Sequence, residues 1–194
     1  MTNVLRLPAG MLADTALSLV QSTESKPIAD HSLRSFYYAR LTAEHEGSLT
    51  DAAYDEELLF AATIMHDLGL GSLASGKARF EVEGADLAAS LLQEHGVSSA
   101  DVDRVWEAIA MHSSLGLAHR MGLLTYLTHQ GVFTDGGRFA DLPPDVVEPI
   151  RVAYPRPEGD RSISDAIIKH ARRSPAAAPP FSIAAELLRL SRQV

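Results

Sequence analysis

Apolar residues recur along this chain at helical spacing, in stripes that short polar or glycine-containing segments separate. Leu12, Ala16 and Leu19 repeat at intervals of three and four near the N-terminus, which predicts a short amphipathic helix. Comparable stripes follow in HSLRSFYYARLTAEH, DAAYDEELLFAATIMHD and FEVEGADLAASLLQEH. No segment shows strand-like alternation over a useful length. The pattern predicts an all-α protein built as a bundle of about eight or nine helices.

Capping residues and breakers divide the chain into these helices. Asp30 is a suitable N-cap for the helix that begins near His31, after the polar segment QSTESKPIAD. Gly69 and Gly71 are expected to end the helix that runs through Met65. The connector SPAAAPP precedes the last helix. We therefore predict one domain over residues 1–194, with its core at about 26–170 and a C-terminal helix at 181–193.

Composition excludes several classes of protein. The chain has 194 residues, 46% of them hydrophobic, and a formal net charge of −8, which argues against nucleic acid as the main partner. Cysteine is absent, so thiolate metal sites are excluded and a reducing compartment is compatible. No apolar run approaches the roughly 20 residues that span a bilayer. The segment MTNVLRLPAG has no basic start followed by a long apolar stretch, so we do not expect it to act as a secretion signal. We expect a cytoplasmic enzyme that acts on a small molecule away from membranes.

Several titratable residues fall on otherwise apolar helix faces. His31 begins a helix rich in Phe and Tyr, His66 and Asp67 end an apolar helix, and His112 shares a face with apolar residues. Asp135 follows another helix, just before two glycines. Buried polar groups need partners, and imidazoles with carboxylates suit Zn²⁺, Fe²⁺ or Mn²⁺. Such an ion lowers the pKa of a bound water.

The order of these residues resembles a known family. His31, the pair His66–Asp67 and a downstream Asp resemble the H…HD…D signature of the HD-domain superfamily. The blocks HSLRSFYYA, LLFAATIMHDLG, RFEVEGADLAASLL, AIAMH and VAYPR resemble the cyanamide hydratase-like branch in order and approximate spacing. The resemblance covers roughly residues 26–170 and implies an all-helical, metal-dependent enzyme.

The resemblance implies a set of metal ligands. His31, His66 and Asp67 match the first three ligands of the signature. The branch's D-x-x-G pattern would place Thr134 at the fourth position, but we favour Asp135, because a carboxylate binds a divalent ion far better than a hydroxyl. This choice predicts a one-residue shift or bulge in the helix. One divalent ion is expected, zinc first, with iron or manganese as alternatives.

Two further residues receive catalytic roles from the resemblance. His112 matches the histidine of AIxxH and is expected to hydrogen-bond the substrate or carry a proton; the alternative is a core histidine bonded to a backbone carbonyl. Glu81 is expected either to orient a ligand histidine or to cap its helix. Lys26 and Arg34 are interpreted as surface charges, although Arg34 has the alternative of pairing with a carboxylate near the site. His170 is expected to be exposed.

Four functions compete at this stage. The first is a metal-dependent hydratase or hydrolase in which a metal-bound water attacks a nitrile-like carbon, as in the conversion of cyanamide to urea. The second is a phosphohydrolase acting on a nucleotide or other phosphomonoester, ranked lower because residues 31–135 contain no tight cluster of Arg and Lys. The third is a diiron oxygenase, which would need two more histidine ligands. His112 could be one of them, but the segment RFEVEGA, where the other is expected, contains no histidine. A non-catalytic ligand-binding module gains if Asp135 points away from the other ligands. A homodimer is compatible with the apolar helices.

Overall fold

The computed structural model describes residues 4–138 and 142–193, and every regular element in those ranges is helical. Nine α-helices lie in this part of the chain, which confirms the predicted all-α fold and helix number: α1 Met11–Thr23, α2 Lys26–His45, α3 Glu56–Met65, α4 Phe80–Glu94, α5 Ser99–Met111, α6 Leu123–Asp135, α7 Pro144–Ala153, α8 Ser162–Ala171 and α9 Ile183–Leu190. None of the described helices is both long and apolar enough to cross a bilayer.

Helix α3 lies at the centre of the bundle. Its N-cap, Asp55, accepts hydrogen bonds from the amides of Glu57 and Leu58, which satisfies two of the free donors at a helix start. Every residue from Leu58 through Met65 is buried. Five helices contact α3: α1, α2, α4, α5 and α6. A helix that is apolar on all sides is stable only when other elements cover it. His66 and Asp67 directly follow its C-terminal end and are therefore buried in the interior.

Helices α2 and α6 approach each other closely because of one glycine. A Cβ atom at Gly131 would lie 2.2 Å from the carbonyl oxygen of Ser35 and 2.8 Å from the Cβ of Ala39. Only a residue without a side chain fits there. The close packing brings His31, one turn before Ser35 on α2, next to Asp135 at the end of α6.

Helix α2 begins earlier than predicted. It starts at Lys26 and accommodates Pro27 in its first turn, where a missing N–H costs nothing. Asp30 therefore lies inside the helix, and its Oδ2 accepts a hydrogen bond from Lys26 Nζ at 2.6 Å. The prediction of Asp30 as N-cap is wrong for this reason. Lys26 is a surface charge as expected, with its side chain 81% exposed.

The turn after α3 packs directly against the start of α4. Helix α3 ends at Met65, and a 3₁₀ turn follows at Leu68–Leu70, so α3 ends before the glycines that were expected to end it. A Cβ at Gly69 would lie 1.9 Å from the carbonyl oxygen of Phe80. Gly69 thus permits a close backbone approach that fixes the segment carrying Asp67.

Gly69→Ala should lower the free energy of unfolding by about 3 kcal/mol or more, because the new methyl group must displace the backbone of α4. Gly122→Ala is the matched control, since a Cβ there meets nothing within 4 Å. Urea denaturation of both variants measures the effect. Equal stability of the two variants would contradict the close approach described here.

The loop before α4 is organised by one carboxylate. Glu83 accepts hydrogen bonds from the four successive amides of residues 75–78 and from Ser75 Oγ, at 2.5 to 3.0 Å. Burial opposes the charge of Glu83, but the amides of Ala78 and Gly76 and the other donors outweigh burial and lower its pKa to about 2. A carboxylate with several amide donors is strongly favoured in its ionised form.

Glu83→Gln should reduce the free energy of unfolding at pH 7 by about 1–3 kcal/mol, the range for a hydrogen bond to a charged group. The folded-state pKa lies below the usual value, so the contribution is full above about pH 4.5 and disappears as the pH falls toward about 2. Urea denaturation between pH 7 and pH 3 should show wild type and variant converging. Glu94→Gln, an exposed change at the end of the same helix, should not change the pH dependence.

Helices α8 and α9 form a second, smaller apolar cluster around Phe80, composed of Phe80, Ile167, Ala171 and Ala184. His170 belongs to the same region and is only 3% exposed, with Nε2 2.9 Å from the carbonyl oxygen of Ala78. The expectation that His170 is exposed is therefore wrong. Its neighbours Ile167, Ile168 and Ala171 are buried as well, so the helix end that carries His170 is covered.

Candidate metal centre

Three of the predicted ligands meet in the interior. His31 Nε2 lies 3.2 Å from His66 Nε2, and Asp67 Oδ2 lies 3.3 Å from His66 Nε2 and 3.9 Å from His31 Nε2. The side chains of these residues are between 0% and 7% exposed. One potential ligand atom from each of the three residues lies within 4.8 Å of the other two, and in the described part of the chain this is the group of His, Asp and Glu side chains close enough to share a metal ion.

The other nitrogen of each imidazole is held by an acceptor. His66 Nδ1 lies 2.8 Å from the carbonyl oxygen of Thr63, and His31 Nδ1 lies 2.7 Å from Asp135 Oδ2. A carbonyl or carboxylate oxygen only accepts, so each Nδ1 carries the proton and donates it. In the neutral rings, both Nε2 atoms then present lone pairs toward the same point. This is how histidine ligands of a metal are oriented in proteins.

Two facing lone pairs at 3.2 Å repel each other, so a proton or a cation must lie between these rings. Asp67 supports the same conclusion, because its Oδ2 is buried and has no hydrogen bond of normal geometry. Burial opposes the charge of both groups. It is outweighed by their mutual attraction, which raises the pKa of His66 and holds the pKa of Asp67 well below its usual range. The pair is thus built to hold positive charge beside a carboxylate.

The distances fit a divalent ion. Two ligand atoms about 2.0–2.2 Å from a tetrahedral ion are about 3.3–3.6 Å apart, and the observed separations of 3.2, 3.3 and 3.9 Å bracket this range. His31, His66 and Asp67 therefore suit one cation, with two imidazole nitrogens and one carboxylate. Three protein ligands leave coordination positions for water or substrate.

Asp135 is not placed among these ligands. It contacts His31 from the opposite side of the ring, through Nδ1, and its two oxygens also receive hydrogen bonds from Arg34 at 2.5 and 2.9 Å. Helix α6 is an uninterrupted α-helix through Asp135, so the predicted bulge is absent. Thr134 and Asp135 both lie outside the lining of the cavity beside the ligands. In this geometry Asp135 is placed to orient His31.

Arg34 is a buried partner of this aspartate. It is 4% exposed, which contradicts its interpretation as a surface charge and supports the alternative pairing. Burial opposes the charge of Asp135, but the hydrogen bonds from His31 and Arg34 outweigh burial and keep the pKa of Asp135 well below its usual range. Arg156 adds a hydrogen bond from Nη1 to the carbonyl oxygen of Asp135 at 2.8 Å. The end of α6 is thereby fixed from two directions.

His112 faces the ligands from α5. Its Nε2 lies 4.0 Å from Asp67 Oδ1, and its ring packs edge-on against His66, with centroids 4.7 Å apart. Its Nδ1 donates to the carbonyl oxygen of Ile109 at 2.7 Å, as the core-histidine alternative expected, yet its Nε2 faces the site. Burial and the charge of His66 lower the pKa of His112 to about 4.

Glu81 lies farther from the ligands than predicted. Its Oε1 accepts hydrogen bonds from Arg79 Nη2 at 2.7 Å and from Ser113 Oγ at 2.6 Å, and Glu81 does not line the cavity. It is bonded to neither ligand histidine. Through Ser113 it fixes the segment that follows His112, so the structure gives it a positioning role.

A comparison with protein-family models decides the family. The HD-domain model matches residues 28–191, which is most of the chain. The chain belongs to the HD-domain family. Membership indicates a metal-dependent function of the hydrolase type, and the buried His–His–Asp group of this HD domain could hold the metal. No curated protein matches the chain significantly.

A cavity of about 210 Å³ opens beside the three ligands of this HD domain. His31, His66, Asp67 and His112 contribute to its lining, and other residues complete the wall: Phe80, Ser113, Val132, Phe133, Gly136, Arg138, Arg156, Ile163, Ile167 and Ile183. Arg138 and Arg156 lie outside residues 31–135, the range in which bases near the site were expected, so neither was predicted to line the cavity. The VAYPR block contains Arg156 and was the available signal.

Asp135→Asn tests whether Asp135 binds the metal of this HD domain or orients His31. We expect metal affinity to fall by about 10–100-fold, the usual cost of losing a group that orients a ligand, whereas His66→Ala should abolish stoichiometric binding. Competition with a chelator, followed by elemental analysis, measures both. Asp86→Asn removes an exposed carboxylate elsewhere and should bind metal normally. Complete loss of metal in Asp135→Asn would show direct ligation instead.

Proposed function

We propose that this HD domain is a metal-dependent hydratase or hydrolase that acts on a small organic substrate in the cavity beside His31, His66 and Asp67. The observation that carries the proposal is the convergence of two imidazole lone pairs and an unpartnered carboxylate oxygen on one point in that cavity. A bound divalent cation would supply Lewis acidity and would activate water. The expected ion is zinc, with iron or manganese as alternatives.

His112 is the group of this chain best placed to handle a proton. Its Nδ1–H is fixed on the carbonyl oxygen of Ile109, so Nε2 is an acceptor on the cavity side. The 4.0 Å separation from Asp67 Oδ1 is too long for a direct hydrogen bond. Nε2 is therefore available to accept a hydrogen bond from water or substrate and to move a proton at that atom. Glu81 supports His112 indirectly, by holding Ser113.

A small neutral electrophile, such as the nitrile-like carbon of cyanamide, is the first substrate class. Phe80, Ile163, Ile167 and Ile183 make much of the wall apolar. The buried cation nearest the ligands, Arg34, is already neutralised by both oxygens of Asp135. A compact uncharged substrate needs no additional cation to enter. Hydration of a nitrile-like carbon in this site adds water across the C–N multiple bond and gives an amide or urea.

A phosphomonoester is the second class, and it is favoured by Arg138 and Arg156, which both line the cavity. Guanidinium groups are suited to phosphate oxygens. Arg156 is already engaged with the carbonyl oxygen of Asp135 at 2.8 Å and lies 3.7 Å from Asp160, so Arg138 is the freer of the two. We rank this class second because the guanidinium of Arg156 is shared.

A non-catalytic module is not favoured by the placement of Asp135. The aspartate stands outside the ligand group, but it holds His31 in the orientation that presents Nε2. The three ligands and His112 remain directed at one cavity. A binding module would be indicated by the loss of one of these side chains. His31, His66, Asp67 and His112 are all present at the cavity.

Elemental analysis of the purified protein, followed by a turnover screen with the metal found, tests the proposal. Cyanamide, small nitriles and nucleoside monophosphates are the substrates. We expect about one metal ion per chain, turnover of at least one substrate class, and loss of both metal and turnover in His66→Ala. His112→Gln should keep the metal and lower kcat by about 10²–10⁴-fold, the usual contribution of a general acid or base. Unchanged turnover in His66→Ala would refute all the enzyme proposals.

The double variant Arg138→Gln/Arg156→Gln separates the two substrate classes. For a phosphomonoester we expect kcat/KM to fall by about 100-fold or more, because charge-assisted bonds to phosphate are lost. For cyanamide or a nitrile we expect a much smaller loss, because no charge is recognised and only the hydrogen bond from Arg156 to the carbonyl oxygen of Asp135 is removed. Arg120→Gln/Arg172→Gln carries the same change in net charge and is the control. A large loss with the neutral substrate would contradict the first ranking.

A further inference from the structure

A second cavity, of about 500 Å³, lies next to the turn at Leu68–Leu70. It shares no lining residue with the metal cavity. The two cavities lie on different faces of helix α8. Ile163 and Ile167 line the metal cavity, whereas Ala166 and Lys169 line the second one. The proposed reaction does not use this second cavity.

The polar groups around the second cavity are basic or hydroxylic. Lys169 and Arg173 are exposed, and neither forms an ion pair with a carboxylate in the described ranges. The polar lining consists of Thr23, Ser25, Ser72, Lys169, His170 and Arg173. The hydroxyl of Thr23 already donates to the carbonyl oxygen of Leu19. The two unpaired cations and the hydroxyls of Ser25 and Ser72 are suited to an anion with several oxygens.

The start of α2 adds to this character. Ser25 occupies the N-cap position of a 20-residue helix, and its side chain makes no capping hydrogen bond. Pro27 has no amide hydrogen, and the amides of Ile28 and Ala29 donate to the carbonyl oxygen of Ser25, so this end of the helix favours an anion through its dipole and not through a set of free amides. The nearby ammonium of Lys26 is bound to Asp30, so the free cations come from Lys169 and Arg173.

Two buried side chains, His170 and Glu24, belong to the surroundings of this cavity. His170 lines the cavity, and its Nε2 is engaged with the carbonyl oxygen of Ala78, while its Nδ1 has no hydrogen-bond partner. Because Nδ1 has almost no accessible surface, the ring forms part of the cavity wall and offers no hydrogen-bonding group to a ligand. Glu24 lies between Thr23 and Ser25 in sequence but does not line the cavity. Burial, reinforced by Asp67, raises the pKa of Glu24 well above its usual range.

We propose that this second cavity binds a small organic phosphate. The phosphate would lie between Lys169, Arg173 and the start of α2, with hydrogen bonds from Ser25 and Ser72. The volume exceeds what inorganic phosphate fills and lies in the range of cavities that take small organic ligands. The organic portion would lie along Ile28 and Ala166, which also line the cavity. The site is separate from the metal centre and independent of which substrate the metal centre takes.

Isothermal titration calorimetry on the metal-loaded protein tests the proposal. The probes are glucose 6-phosphate and AMP, their neutral counterparts glucose and adenosine, and inorganic phosphate. We expect at least one organic phosphate to bind saturably and more tightly than inorganic phosphate and than its neutral counterpart. Lys169→Gln/Arg173→Gln should weaken that binding about tenfold or more, because charge-assisted bonds are lost. Circular dichroism and thermal unfolding confirm that this exposed double change leaves the fold intact.

Two other double variants locate the binding. Arg172→Gln/Arg192→Gln makes the same change in net charge at exposed positions outside both cavities, and should bind like wild type. Arg138→Gln/Arg156→Gln alters the metal cavity and should also bind like wild type. Equal weakening in Arg172→Gln/Arg192→Gln, or loss confined to Arg138→Gln/Arg156→Gln, would overturn the proposal. So would the absence of binding, or binding of inorganic phosphate as tight as that of the organic phosphates.

Discussion

The close approach of His31 and His66 is the interaction on which the rest of the site depends. Their Nε2 atoms lie 3.2 Å apart in a region without exposed surface, and each ring is fixed by an acceptor at Nδ1. Such an arrangement is unfavourable unless positive charge lies between the rings. Asp67 supplies the compensating negative charge. A divalent cation bound between the two rings, as expected for the HD-domain family, would satisfy this electrostatic requirement.

The packing of the bundle maintains that arrangement through backbone contacts. Gly131 lets α6 approach α2, which places Asp135 behind His31, and Gly69 lets the turn after Asp67 pack on α4. Because neither contact tolerates a side chain, the positions of the ligands are set by backbone geometry rather than by flexible side chains. A closely packed interior transmits small displacements, so the metal centre and these glycines act as one unit.

The charges around the centre are distributed in a consistent way. Arg34 and His31 neutralise Asp135, and Arg79 neutralises Glu81, so the carboxylates nearest the ligand histidines and His112 are each paired with a cation. Asp67 keeps one oxygen without a hydrogen bond. A buried ion left without a partner is costly, and functional sites are where such groups are found. Lys169 and Arg173 are also unpaired, but they lie at the surface. Water solvates their charges there, so an unpaired cation costs little.

The sequence by itself determined the helices and the ligand trio. Helical periodicity is a local property, so the all-α fold could be predicted, and His31, His66 and Asp67 were recognised from their order along the chain. Only the tertiary structure shows the position of Asp135, which lies 104 residues from His31 along the chain and contacts its Nδ1. It also decided that Arg34 and His170 are buried and that Arg138 and Arg156 line the cavity. These outcomes depend on which helix faces meet across long sequence separations, and spacing along one helix contains no information about that.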